Sequence, residues 1–479
     1  MNNLSFYDWI IFIAGIVLLV IIGYKGKAAN DSSDFFLASR KSSVFVSTMS
    51  FVASEISAMT IVGVPAVSFA DNWSYLQFFL GSAVSRLVIA YFFIPVFYKY
   101  NCTTIYDFVG ERFSKQVQYT SSIFFFITRL FASGIRLYAT ALALSVIMGF
   151  SLVTTIVIFI IISLFFIAFG GIRSVLYTGV YQSISFYIMA ILILSFIFTS
   201  HGCSITDLFK IAGDDSKFTI LNLSLNFRDP NIFVLAILNG IIGSLASFGT
   251  DYEVMQRLLT LKTRKESQKS MIMTIFATLG LILLYLIVGT AIYVFLKVNS
   301  VSYTDNTDKI VSYFAVNFLP VGIKGFVFMT IFLASIDLPL VSLSTSFIND
   351  IYKNIVHNLD DKKAVIYSKI SMIFFALFLG IIAYISRNEK GMLWFAFEIN
   401  GITSGSLLGI FLLGMFTKIK GSKIIIFSMI FSSLICLSFM ILNRKGITAV
   451  PWSSFVIIGT SISFLLPLVV EKLKNLSVK

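Results

Sequence analysis

The chain has 479 residues, of which 57% are hydrophobic and only 12% charged, and its mean hydropathy is +0.92. A soluble domain carries roughly one-quarter charged residues, so this composition excludes a soluble enzyme, a disordered scaffold and a nucleic-acid-binding domain. The apolar runs, such as 152–169, are long and continuous. They lack the short alternation of an outer-membrane barrel and predict an all-α integral membrane protein.

Thirteen transmembrane helices are predicted, at 8–24, 43–67, 75–98, 118–148, 152–170, 176–199, 232–249, 271–296, 322–347, 368–386, 392–416, 424–442 and 453–470. At ~20 residues per span they leave short loops and no room for a soluble domain, so residues 1–479 are expected to form one polytopic unit. No basic stretch precedes the first run and no small-residue cleavage pattern follows it. It therefore reads as a retained helix and not as a signal peptide. With the N-terminus outside, most of the 36 Lys and Arg residues fall in segments assigned to the cytoplasm, as the positive-inside rule requires. The expectation is a multi-pass protein of the plasma (inner) membrane, N-terminus out and C-terminus in. The net charge of +13 then reflects loop charge near lipid and not a nucleic-acid partner. Cys102, Cys203 and Cys436 are scattered, and His201 and His357 are the only histidines. Neither a metal spacing nor a disulfide framework emerges, and no constellation for catalysis, so no enzyme activity and no organic cofactor are expected.

The second segment reads Ser50-Phe-Val-Ala-Ser-Glu-Ile-Ser-Ala-Met-Thr-Ile-Val-Gly-Val-Pro65. Hydroxyls and an acid in mid-membrane, ended by Gly-Val-Pro, suggest a broken helix whose freed carbonyls can bind a cation. On the fourth segment Arg129 and Arg136 are seven residues apart, two turns along one helical face. A guanidinium fork suits a carboxylate, so Glu55, Asp337 or a substrate anion is the expected partner. The loop 200–231 reads as surface, and the loop 251–269 as an internal basic loop. The ninth segment, from Ala334, carries Ser335, Asp337, Ser342, Ser344, Thr345 and Ser346, hard oxygens that suit Na⁺. Glu55, Arg86, Arg129, Arg136, Asp337 and Glu398 all fall within spans. Each costs at least ~2.5 kcal/mol to insert, so each is either paired or on a pathway.

These residues resemble those of the sodium:solute symporters, which include proline, galactose and sialic acid symporters and the iodide and multivitamin carriers. The resemblance is carried by Ser50–Pro65, by Gly170-Gly171…Thr178-Gly179…Gln182, by Gly249-Thr250-Asp251…Gln256-Arg257, by Ser335–Tyr352 and by Leu408–Phe416. It implies a five-plus-five inverted repeat preceded by one helix (8–24) and followed by two (424–470). The repeats would span 43–199 and 232–416, with substrate held where the first and sixth core helices break. It further implies Na⁺ as coupling ion, bound by the carbonyls of Ala53, Ile56 and Ile331 and the hydroxyl of Ser335. Position 334, a second hydroxyl in the family, is Ala here, and the family's Thr-Asp is Thr178-Gly179. Asp337 is therefore expected to supply the missing carboxylate at the ion. The resemblance places Glu55, Ser57 and Thr60 at the substrate, with Arg129 and Arg136 on the helix where sialic acid carriers bind the carboxylate and Ser247 where sugar carriers stack an aromatic ring; Gln77, which opens the second core helix, either reaches the pocket or packs at a helix interface. The expected function is Na⁺-coupled symport of a small solute bearing a carboxylate, such as a sialic acid, a monocarboxylate or an amino acid. The alternatives are proton-coupled or ion-independent transport on the same fold, or sugar or polyol symport. The expected partners are the solute, Na⁺ and the bilayer, with no obligate protein partner. A sensor role is disfavoured, since sensors of this type append a kinase domain and the chain runs about nine residues past its last span.

Overall fold

The computed structural model describes residues 4–25, 37–100, 104–167, 172–200, 203–226, 228–336, 340–352, 355–356, 361–389 and 391–477. All regular structure among them is helical. Helices among the described residues fall in the expected segments, with 168–171 and 337–339 lying outside those residues. Among the described residues, nine single helices and two bent pairs have the length and apolar character of a span, while Leu152–Leu164 and Ile323–Ser335 are shorter. The elements that position the site are α1 (Phe6–Lys25), α2 (Val44–Glu55), α3 (Ala58–Ala70), α4 (Tyr75–Lys99), α5 (Lys115–Met148), α6 (Ile172–Ser200), α7 (Phe233–Gly249), α8 (Tyr252–Leu259), α9 (Arg264–Val298), α10 (Ile323–Ile336) and α11 (Met392–Phe416).

Two spans are broken, and they stand at the start of the two expected repeats. The helices α2 and α3 meet at 64°, and α7 and α8 at 68°. The first break falls at Ile56–Ser57, eight residues before Pro65, which lies inside α3. The expected broken helix is therefore present, with the proline inside its second half. The local chemistry explains the position. In an unbroken helix the Ser57 N–H would serve the Ala53 carbonyl and the Thr60 N–H the Ile56 carbonyl. Instead Ser57 N lies 3.5 Å from Thr60 Oγ1, and Thr60 N donates to Ser57 O at 2.9 Å. The Ala53 and Ile56 carbonyls thus lose their helical donors in a buried setting.

At the second break Asp251 is the N-cap of α8, its Oδ1 accepting from the N–H groups of Glu253 (2.9 Å) and Val254 (3.3 Å). Residues 252–259, expected as part of a basic loop, are instead a buried helix. Apolar residues at 254, 255, 258 and 259 follow an Asp N-cap with helical spacing, a signal present in the sequence. The region 203–231 is also more than a surface loop. It forms a helix at Ile205–Asp214, and Lys217 Nζ donates to Phe69 O and Ala70 O at the end of α3, where the helix dipole favours a cation.

The bent pairs are clasped by close helix packing. Gly81 on α4 faces Gly240 on α7, and a Cβ on Gly240 would stand 2.2 Å from Phe78 O. Only a missing side chain lets these backbones meet. At the other end, Ser47 Oγ donates to Arg257 O (2.9 Å) and Ser42 N to Thr260 O (3.3 Å), joining α2 to α8 and the turn after it.

Candidate functional site

A cavity of about 190 Å³ lies between the two breaks. The first break contributes Ser54, Glu55, Ile56 and Thr60. From α4 come Phe78, Phe79 and Ser82, and from α5 Thr128, Arg129 and Arg136. The second broken span adds Asn239, Ser244, Ser247 and Asp251, and α11 adds Phe397, Asn400 and Ser404. One wall is therefore aromatic. The other carries amides and hydroxyls, tied by Asn400 Nδ2 to Ser247 Oγ (2.9 Å) and by the Thr128–Thr403 hydroxyl pair (2.6 Å).

The expected substrate residues divide. Glu55, Thr60, Arg129 and Arg136 line the cavity, as does Ile56 of the expected Na⁺ set. Gln77 does not. Its amide donates to Ser74 O (3.2 Å) and Asn231 O (3.1 Å) and accepts from Asn222 N (3.0 Å), so it locks the segment before α7 onto α4. Ser57 is not in the lining either. Its buried Oγ has no hydrogen-bond partner among the described residues. Ser247 is in the wall, bonded by Asn400, so the ring-stacking position is polar.

The charges pair differently from the expectation. Arg129 is bound by Asp251 (3.1 Å) and Glu253, not by Glu55. Glu253 also faces Arg257 at 3.4 Å, and Arg257 Nε donates to Ser50 Oγ (3.1 Å). Glu55 is instead ion-paired with Arg86 of α4 and accepts from Thr278 Oγ1 (2.8 Å). Glu398 faces Arg444 at 3.7 Å. The acids at 251 and 253 escape a reading by sequence because hydropathy averaged over α8 looks like a loop.

Arg136 stands apart. Its Nη1 donates to Ser54 O (3.2 Å) at the first break, and among the described residues it has no carboxylate partner. One turn further along α5, Thr140 Oγ1 meets Ser335 Oγ of α10. Of the expected Na⁺ ligands, Ala53, Ile56, Ile331 and Ser335 are buried, and α10 packs against α3 and α5. Freed carbonyls and a hydroxyl are hard donors that fit Na⁺. No cluster of His, Cys, Asp or Glu able to hold a metal occurs among the described residues. Asp337 lies outside them. Gly179, where the family has an acid, abuts Ser50 of α2, with a Cβ there only 2.7 Å from Ser50 Oγ.

The geometry agrees with comparisons to known proteins. A sodium/sialic acid symporter of Aliivibrio fischeri is 26% identical over 86% of this chain and 83% of its own. The sodium-coupled monocarboxylate transporter 2 of Mus musculus is 24% identical over 88% and 70%. Among solved structures, a Na⁺-coupled sialic acid symporter in a substrate-bound outward-open state superposes with a TM-score of 0.87, covering 98% of both chains at 21% identity. The family model described as the sodium:solute symporter family matches residues 35–431. The chain is a multi-pass membrane protein, and it belongs to the sodium:solute symporter family.

Proposed function

We propose that this protein couples Na⁺ entry to uptake of a small organic anion across the plasma membrane, and that Arg136 receives the substrate carboxylate. One observation carries the anion preference. The cavity acids Glu55 and Asp251 already have arginine partners, whereas Arg136 has only the Ser54 carbonyl. A bound carboxylate would complete the charge balance of a low-dielectric site. Among the described lining residues this pairing leaves no acid free for an ammonium group, which favours a sialic acid or a monocarboxylate over an amino acid. The amides and hydroxyls of Asn239, Ser244, Asn400 and Ser404 suit hydroxyl groups on such an acid.

In this reading Na⁺ is a co-substrate held by the Ala53 and Ile56 carbonyls, with Ile331 and Ser335 as the family's remaining ligands and Asp337 supplying the carboxylate that this chain lacks at Gly179. Its charge would sit at the break that also orders Arg136 through Ser54, so ion and anion would stabilise each other. Repeats at 43–199 and 232–416, with the N-terminus outside, would let the two broken spans rock between states. With the N-terminus outside, the hydrogen bonds between α2 and α8 would lie on the cytoplasmic side of the cavity.

The test is uptake into proteoliposomes of sialic acid, lactate, proline and galactose, under a Na⁺ gradient and again in K⁺. The acids accumulate with Na⁺, and Arg136→Gln raises KM about tenfold or more, the worth of a hydrogen bond to a charged group. Transport of acids that ignores the substitution sinks the carboxylate assignment. Uptake that follows pH and not Na⁺ selects proton coupling.

A further inference from the structure

The pairing of Glu55 contains more than charge neutralisation. Arg86 is fully buried and Glu55 15% exposed. The guanidinium Nη1 lies 2.9 Å from Thr274 Oγ1 and 3.4 Å from Thr278 Oγ1, both on α9. Both threonines have committed their protons elsewhere. Thr274 Oγ1 donates to Met271 O (2.6 Å), and Thr278 Oγ1 donates to Glu55 Oε2 (2.8 Å). Each hydroxyl therefore turns lone pairs toward Arg86. A carboxylate and two hydroxyls presenting only acceptors form a hard-oxygen set around one positive charge. Phe248 closes the remaining side, its ring centroid 4.9 Å from the guanidinium carbon. Glu55 is the last residue of α2, beside the unserved carbonyls of the break.

We propose that Arg86 is a tethered counter-cation, occupying a place between α2, α4 and α9 whose oxygens would otherwise bind a mobile alkali cation. A tethered charge cannot dissociate during the transport cycle. It balances the Glu55 carboxylate at the break without consuming an ion, and so removes one cation from the coupling stoichiometry. This builds on Na⁺-coupled symport but not on the identity of the solute or on the role of Arg136.

The prediction concerns Arg86→Met, which vacates the place while keeping its apolar volume. The stranded Glu55 then needs a replacement cation, since an uncompensated buried charge is strongly destabilising. Unfolding midpoints of the purified proteins are measured against NaCl, LiCl and KCl, with N-methylglucamine chloride holding ionic strength constant and no solute present. The slope of midpoint against log cation concentration counts cations bound to the native state. Arg86→Met should gain about one cation's worth of slope over the unsubstituted protein, and Glu55→Gln/Arg86→Met should lose that gain. Three results overturn the proposal. The first is a single variant with no added slope. The second is a double variant that keeps the gain, which places the extra ion elsewhere. The third is a double variant that is recoverable while the single is recovered in no alkali salt, or only at acid pH, which shows that an alkali cation cannot stand in for the arginine. None of these results bears on whether the unsubstituted protein couples Na⁺ to an anion, which the uptake assay decides separately.

Discussion

Restoring a side chain at Gly179 tests how the fold accommodates the loss of the family's acid. A Cβ there would lie 2.7 Å from Ser50 Oγ, 2.9 Å from Ser50 Cα and 3.0 Å from Ser50 Cβ. The hydroxyl could rotate, but the Cα belongs to the backbone of α2, and Ser50 is itself held by Arg257 Nε at 3.1 Å. Relief therefore requires α2 and α6 to separate by several tenths of an ångström. Overpacking of this kind costs about 1–3 kcal/mol. Gly179→Ala should lower the unfolding midpoint accordingly, and Gly179→Asp should fall at least as far because its Cβ meets the same backbone. Adding Ser50→Gly to Gly179→Ala removes two of the three clashes but leaves the one with the backbone of α2, so recovery should be partial. Cys203 and Cys436 are both buried, so a thiol-reactive fluorophore in a Cys102→Ser background reports their exposure on heating. An unchanged midpoint for Gly179→Ala would refute the account of a tight helix–helix approach.

Other substitutions address the breaks and the loop. Thr60→Val removes the acceptor of the Ser57 N–H and should cost about 1–3 kcal/mol, the penalty of a buried unsatisfied group, read as a lower midpoint in detergent. Pro65→Ala should retain Na⁺-driven uptake, because the bend is set at Ile56–Ser57; loss of uptake in stable, folded protein contradicts this. Glu253→Ala leaves Arg129 with Asp251 but removes the acid shared with Arg257. It should destabilise the protein more than Glu253→Gln, which keeps hydrogen-bonding capacity, and thermal unfolding of both gives the order. Hydrogen bonds from Lys297 and Tyr293 hold the exposed Asp215 below its ordinary value of 3.8. A depressed acid stabilises above its unfolded pKa and loses that contribution as pH falls through the folded one. The midpoint difference between the unsubstituted protein and Asp215→Asn should therefore persist from pH 7 to 5 and shrink below about pH 4.

The spans were legible because the bilayer imposes a length on every apolar run. The first break was legible in kind, but its exact position was not. Proline draws attention, yet inside a bundle its lost hydrogen bond is easily absorbed; the chain turns where Ser57 and Thr60 satisfy each other. The buried helix at 252–259 was not legible from hydropathy, since Glu253, Gln256 and Arg257 make it read as a loop. Burial there depends on Ser47, Ser50 and Arg129, which arrive from distant segments.

The charges show the same division most clearly. Sequence identifies the ionisable groups that sit inside long apolar runs, because each is costly there, and misses those at 251, 253 and 257. It cannot identify their partners, because pairing is decided by helix packing. Once the acids at 55, 251 and 253 are assigned to Arg86, Arg129 and Arg257, what distinguishes the site is the cation left over. An uncompensated arginine beside a helix break is unfavourable in isolation. It becomes favourable when an anion fills the cavity, and a cation at the freed carbonyls of the same break would then balance that anion. In this reading the coupling of the two ligands is a consequence of electroneutrality in a buried site, and it requires no direct touch between them.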